Sequence, residues 1–303
     1  MTTPVDLVTS LLGTTPRELE YLDLGDSTSW SEDDRAKVAA LLVTAAEGGD
    51  SRAPGALVGV LADGPLAVEL SGLLAASQLS VRIAAGEGLG RLVERSVADH
   101  IVPDLLAGLA DDNLLARAAR LMIATGALVS LRAATESTTS ERARTQMIKA
   151  QWRHHGFDSI PVVWWRGLGL LRWRLELPLP SFRTEALVRF YELVDDRGLA
   201  IAPEVAGMAM PAALERAVTD ARDGAGPIDQ AALAALDADH AEALVVYAAT
   251  KALDLVSPRC LQIVKVLSGA KHRDLFELAA ASPHEAFASS ATTLLGELGP
   301  QRG

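Results

Sequence analysis

A chain of 303 residues, 49% of them hydrophobic and 22% charged, has enough apolar material for one elongated or two compact domains, which excludes wholesale disorder. The net charge of −11 argues against general nucleic-acid binding, which depends on neutralising phosphates, and the single cysteine, Cys260, allows no internal disulfide. Mean hydropathy is +0.20, yet the most apolar stretch, residues 160–171, contains Arg166 and falls short of the roughly 20 apolar residues that span a bilayer. The opening residues lack the basic region and apolar run of a signal peptide, so a cytoplasmic protein without a membrane segment is expected.

The apolar content is mostly Ala, Leu and Val, with 4% aromatic residues, a composition suited to closely packed helices. Residues Val5–Leu12 predict one or two helical turns. Thr15-Pro16-Arg17-Glu18 has a capping Thr and a Pro in first position, a helix start. Residues 22–30 read as a loop in which Asp23 and Asp26 serve turns and caps, because their spacing fits no calcium loop. Ser31, followed by three acids, opens a helix that runs to about Ala46 and stops at Gly48-Gly49.

From Ala53 to about Ala134 short apolar helices follow one another, separated by Asp, Gly and Ser. Ser80–Gly90 is one copy and Leu115–Thr125 another, with Val81-Arg82 matching Ala116-Arg117. Val102–Asp111 reads as a partner helix between them. This pattern, Val-Pro-x-Leu-x-x-x-Leu, then Asp, then a helix opening Val-Arg-x-x-Ala and ending Leu-Gly, resembles HEAT-type repeats over about residues 78–126. The resemblance implies antiparallel helix pairs stacked into a curved solenoid that binds on its concave face. It also implies a functionally broad family, mostly scaffolds and adaptors, with a few enzymes that include DNA glycosylases. The second copy departs from the pattern at Thr125, where Gly is usual.

Thr138 with Glu141 fits a capping box for a helix from about Thr139 to His154, and Gly156 is placed to end it. The period then changes. Leu171, Trp173, Leu175, Leu177 and Leu179 alternate with Arg172, Arg174, Glu176, Pro178 and Pro180, which predicts an extended segment. With the β-formers of residues 160–165 and a turn at 166–169, a hairpin or extended insertion is expected, ended by Pro178 and Pro180. Helices resume at Thr184–Val194 and Pro203–Ala221, the latter kinked or split by Pro211. They continue at Asp229–Leu236, Ala241–Leu255, Pro258–Leu267 and Asp274–Ala281, then from Ser282-Pro283 to Leu298. The expected fold is all-α: an N-terminal repeat arm over 1–155, a Trp/Arg-rich insertion over 156–181 and a C-terminal repeat arm over 182–303, which reads as a second, more diverged solenoid.

The centre differs from the rest. Residues 141–174 hold Trp152, Trp164, Trp165 and Trp173 and carry seven basic against two acidic residues, so the remainder of the chain sums to −16. Two readings stand beside each other. In one, indole faces and the guanidinium groups of Arg153, Arg166, Arg172 and Arg174 hold a ligand with a negative group. In the other, the tryptophans pack a core and the arginines are solvated. The alternation favours packing for Trp173 and puts Arg172 and Arg174 together on the opposite face. His154 and His155 lie about 100° apart on a helix, which disfavours a shared metal and suits a cap at a helix C-terminus. Either could also act as an acid or base beside Asp158. Asp158 and Glu176 among arginines read as ion-pair partners. The glycosylase resemblance would give Asp158 a catalytic role, without a local motif behind it.

No hydrolase elbow, phosphate-binding loop, dinucleotide fingerprint or metal motif occurs, and no cofactor is indicated. Cys260, among Leu261, Ile263 and Val264, reads as buried. The leading expectation is a HEAT-like binding or scaffold protein that holds a protein partner or small anionic ligand. Beside it stand an enzyme on that scaffold acting on phosphorylated or sulfated small molecules, and a glycosylase-type enzyme, which the −16 disfavours.

Overall fold

The computed structural model describes residues 3–15, 21–90, 96–108, 110–160, 162–195, 208–224 and 226–299. The protein is all-α, and no strand occurs among the described residues. No described helix is long and apolar enough to cross a membrane. The chain divides into two compact units, Met1–His154 and His155–Gly303.

The first unit comprises α1 (Pro4–Leu12), α2 (Glu32–Glu47), α3 (Ala53–Val60), α4 (Asp63–Leu73), α5 (Leu79–Leu89), α6 (Ser96–Ala107), α7 (Asp112–Ala124), α8 (Leu128–Ser137) and α9 (Glu141–His154). Each packs chiefly on the helices one and two places along the chain. Short-range chemistry sets the boundaries. Thr3 and Asp6 cap α1 reciprocally, Ser31 accepts the Asp34 N–H at the head of α2, and Asp111 accepts the Leu114 N–H at the head of α7. In the loop before α2, Asp23 accepts the Gly25 N–H, and Asp26 accepts the Thr28 N–H at the head of a 3-10 turn, Ser27–Ser29. Leu42, Leu57, Leu70, Ile83, Leu89, Ile101 and Leu105 are fully buried in one continuous core.

Two glycines set how closely α5 is approached. A Cβ on Gly86 would lie 2.6 Å from the Leu121 side chain of α7, and one on Gly88 would lie 2.7 Å from Leu70 of α4. Positions two apart on a helix face nearly opposite ways, so α5 is clasped from both flanks.

Several boundaries differ from expectation. Thr138 does not cap α9: its hydroxyl donates to the Leu105 and Leu106 carbonyls, and Ser140 accepts the Ala143 N–H instead. The Thr138 oxygen accepts the Ser140 N–H, just ahead of α9, rather than an N–H of the helix itself. Pro103 lies inside α6 rather than near the start of a helix. Residues 16–18 of the helix start expected at Thr15–Glu18, and the 203–207 part of the helix expected from Pro203, lie outside the described residues.

The second unit comprises α10 (Gly167–Glu176), α11 (Pro180–Asp195), α12 (Ala212–Asp223), α13 (Gln230–Ala234), α14 (Ala238–Leu255), α15 (Pro258–Ser268), α16 (Arg273–Ala280) and α17 (Glu285–Leu298). Its packing is less sequential, since α10 returns against α14 and α11 against α16. Pro211 does not kink a helix; it precedes α12 as the cap residue, where a missing N–H costs nothing. The last helix begins after His284 rather than at Ser282, whose hydroxyl accepts the His284 N–H. Gly156 has φ +75, as its stop role requires.

The largest correction concerns the hairpin. Residues 167–176 are helical, and no strand occurs among the described residues of 160–165. Leu168, Leu171 and Leu175 are the buried residues, at helical spacing, and Gly169 fits against the Val163 carbonyl, where a Cβ would stand 2.0 Å away. The alternation is real only beyond the helix: Leu177 is extended, and Leu177 and Leu179 are buried between exposed Pro178 and Pro180.

Candidate functional site

Of the residues singled out in the sequence, the second unit brings Trp164 and Trp173 together. Their rings stack at 5.2 Å and 28°, and both meet Tyr247 of α14, at 5.4 and 6.2 Å. Trp164 precedes α10 and Trp173 lies in it, so the packing of α10 on α14 assembles the three rings. Trp165 points elsewhere. It is buried, sits 5.9 Å from the His240 ring, and is overlaid at 5.8 Å by the Arg166 guanidinium, which also reaches the Met208 sulfur at 3.4 Å.

Helical geometry separates Arg172 and Arg174, which an extended segment would have placed on one face. Arg172 contacts Glu176 at 3.1 Å and Asp158 at 3.5 Å. Arg174 divides its fork between Glu242 of α14 and Glu185 of α11, each at 2.7 Å. The Arg174 guanidinium, and next Lys271, hold the Glu185 carboxyl below its ordinary range. Both arginines are therefore committed to carboxylates. Asp158 takes the ion-pair role. The exposed Arg172 pairs contribute about 0–1 kcal/mol each.

Trp152 and Arg153 belong to α9 in the first unit; Trp152 is buried and Arg153 exposed. His154 is the last residue of that helix. His155 belongs to the second unit, where its ring meets Phe157 at 6.0 Å and Phe190 at 6.4 Å. Cys260 is buried as expected, and burial pushes its thiol up, which makes a poor nucleophile.

Trp173 also lines a cleft of about 470 Å³. Leu177, Pro178 and Leu253 supply its other apolar walls, and Glu176, Thr250, Lys251 and Asp254 its polar groups. The α14 residues were not singled out in the sequence. Their one signal is Tyr247 inside the apolar run 243–249, followed by the polar Thr250, Lys251 and Asp254.

A second constellation was also missed. The Ser181 hydroxyl lies 2.6 Å from Asp274 Oδ1 and 2.8 Å from His272 Nδ1, and the Ser181 N–H donates to Asp274 Oδ2 at 2.9 Å. The residue types are those of a hydrolase triad, but the order is wrong for one. Nucleophilic catalysis places His between Ser and Asp, whereas here Ser stands between the other two. The cluster ties the heads of α11 and α16 together. Beside it the fully buried Arg183 donates its Nε–H to the Leu175 carbonyl at 3.1 Å, closing the end of α10. No protein-family model, no curated protein and no solved structure matches this chain.

Proposed function

We propose that the protein is a non-catalytic, HEAT-like binding protein whose ligand site is the cleft beside Trp173. The cleft itself carries this reading: it has the size of small-molecule sites, an aromatic wall, and a few polar groups around an apolar body. The sequential helix packing of the first unit supports the repeat reading, with stacked helices providing a scaffold surface for a protein partner. Readings that need an anion held by Arg172 and Arg174, including action on phosphorylated or sulfated molecules, have less support, because both side chains are engaged by carboxylates.

The test uses the neutral fluorescent probe N-phenyl-1-naphthylamine. Saturable binding that Trp173→Leu and Leu253→Glu each weaken about tenfold, with unchanged circular dichroism, supports the cleft. Binding that neither substitution alters places the site elsewhere.

A further inference from the structure

We infer that the Trp173 cleft selects an organic cation, a quaternary ammonium or protonated amine carried on a small apolar body; the inference rests on the cleft being the ligand site. Three independent features point the same way. The first is the wall. Indole is the best aromatic face for a cation, and Trp173, stacked with Trp164 and Tyr247, lines the cleft.

The second is the balance of polar groups. Glu176 and Asp254 bring two carboxylates, both about half exposed, against one ammonium, Lys251. Lys251 already leans on Asp254 at 3.4 Å, and the Thr250 hydroxyl donates to the Val246 carbonyl, so its oxygen remains an acceptor. Glu176 shares Arg172 with Asp158, an exposed arrangement that an incoming cation displaces at little cost. Among the lining side chains carboxylates outnumber ammonium groups two to one, with Arg172 reaching Glu176 from outside the lining.

The third is helix direction. Trp173, Glu176 and Leu177 lie at the C-terminal end of α10, while Thr250, Lys251, Leu253 and Asp254 form the last turns of α14. Helix C-termini carry partial negative charge on their outward carbonyls. Two such ends flank one cleft; Arg183 serves the Leu175 carbonyl at the end of α10, and the end of α14 adds its partial negative charge, which favours a cation over an anion. This corrects the charge sign that arginine clustering suggested: Arg174 is held by Glu185 and Glu242, which do not line the cleft, and Arg172 reaches the cleft through its pair with Glu176.

The experiment compares choline with its uncharged isostere 3,3-dimethylbutan-1-ol and the anion 3,3-dimethylbutanoate, by tryptophan fluorescence and saturation-transfer NMR. Choline is expected to bind about tenfold tighter than the alcohol, and the butanoate weakest. Asp254→Asn and Glu176→Gln should each weaken choline several-fold while leaving N-phenyl-1-naphthylamine unaffected. Lys251→Met should tighten choline by removing the resident competitor, a gain that misfolding does not produce. If the alcohol binds as well as choline while the neutral probe still occupies the cleft, the cation inference fails and the binding reading stands. If the neutral probe is also indifferent to Trp173→Leu, both fail.

Discussion

Asp274, at the head of α16, accepts both the backbone N–H and the hydroxyl of Ser181, at the head of α11. A carboxylate thus caps a helix to which it does not belong, besides lying beside its own Leu275 N–H at 3.0 Å. Asp274→Ala leaves the Ser181 N–H without its acceptor and removes the hydroxyl's. The expected loss is about 2–3 kcal/mol in urea unfolding, with Ser181→Ala costing about half as much. Equal stability of Asp274→Ala and the parent would show that water replaces the carboxylate.

His272 gives the fold a pH dependence. The ring is buried against Phe182, at 3.7 Å and 11°, and lies 2.8 Å from the Ser181 hydroxyl. Burial first, and then the Lys271 charge, lower its pKa from 6.5 to about 4. The unfolded chain takes up a proton near pH 6.5, while the folded one resists until about pH 4, so stability falls as pH drops through that window and is level above it. The loss is on the order of 3 kcal/mol, and His272→Gln should flatten it. Thermal midpoints of both proteins between pH 4 and 7 check this, an unchanged slope in the variant counting against it.

Arg174 holds two glutamates from different helices and is itself mostly buried, with 16% of its side chain exposed. Arg174→Met keeps the stem but takes the guanidinium from Glu242 and leaves Glu185 to Lys271, 3.6 Å away. A destabilisation of about 2 kcal/mol is expected, recovered in large part by adding Glu242→Gln. Because the guanidinium is engaged, sulfate should raise the melting temperature of the parent only through the non-saturating exclusion effect common to proteins. A saturable rise would mean that anions displace the glutamates.

Val256 is the one non-glycine at positive φ among the described residues, with φ 54 and ψ 45 where α14 ends. A β-branched side chain is poorly suited to that conformation. Val256→Gly should stabilise the protein by about 1 kcal/mol, and Val256→Asn by somewhat less. A loss in both variants would show that the half-buried valine contributes more through packing than it loses in strain.

What could be read in the sequence was what neighbouring residues decide. Ser31 and Gly156 act within a turn of their own position, and each does what its type and place imply, whereas Asp111, read as the end of one helix, caps the next. The hairpin was misread because residues 168–179 carry two periods at once. Leu168, Leu171 and Leu175 fit a helix, while the run from Leu171 to Leu179 alternates, and only its last part, beyond Glu176, is extended. Nothing local chooses between them; the choice follows from α10 packing on α14. The site was half legible for the same reason. Trp164 and Trp173 stand out by composition, but Tyr247, Lys251 and Asp254 come from a helix far along the chain, and the partners of Arg174 do too. Charge clustering along a sequence says nothing about where the opposing carboxylates lie once the chain has folded.

The glycines of α5 limit how far the first unit can be divided. Gly86 and Gly88 each cost about 1 kcal/mol of helical tendency relative to Ala, so the segment is a poor helix by itself. It is ordered by α3 and α4 on one side and α6 and α7 on the other. Arrays built from interchangeable repeats can be shortened one unit at a time. In the first unit a weak helix lies in the middle, so a fragment ending at residue 90 and one beginning at residue 79 should both lose α5. Hydrogen exchange would then report one cooperative block across residues 53–124 rather than a ladder of independent steps.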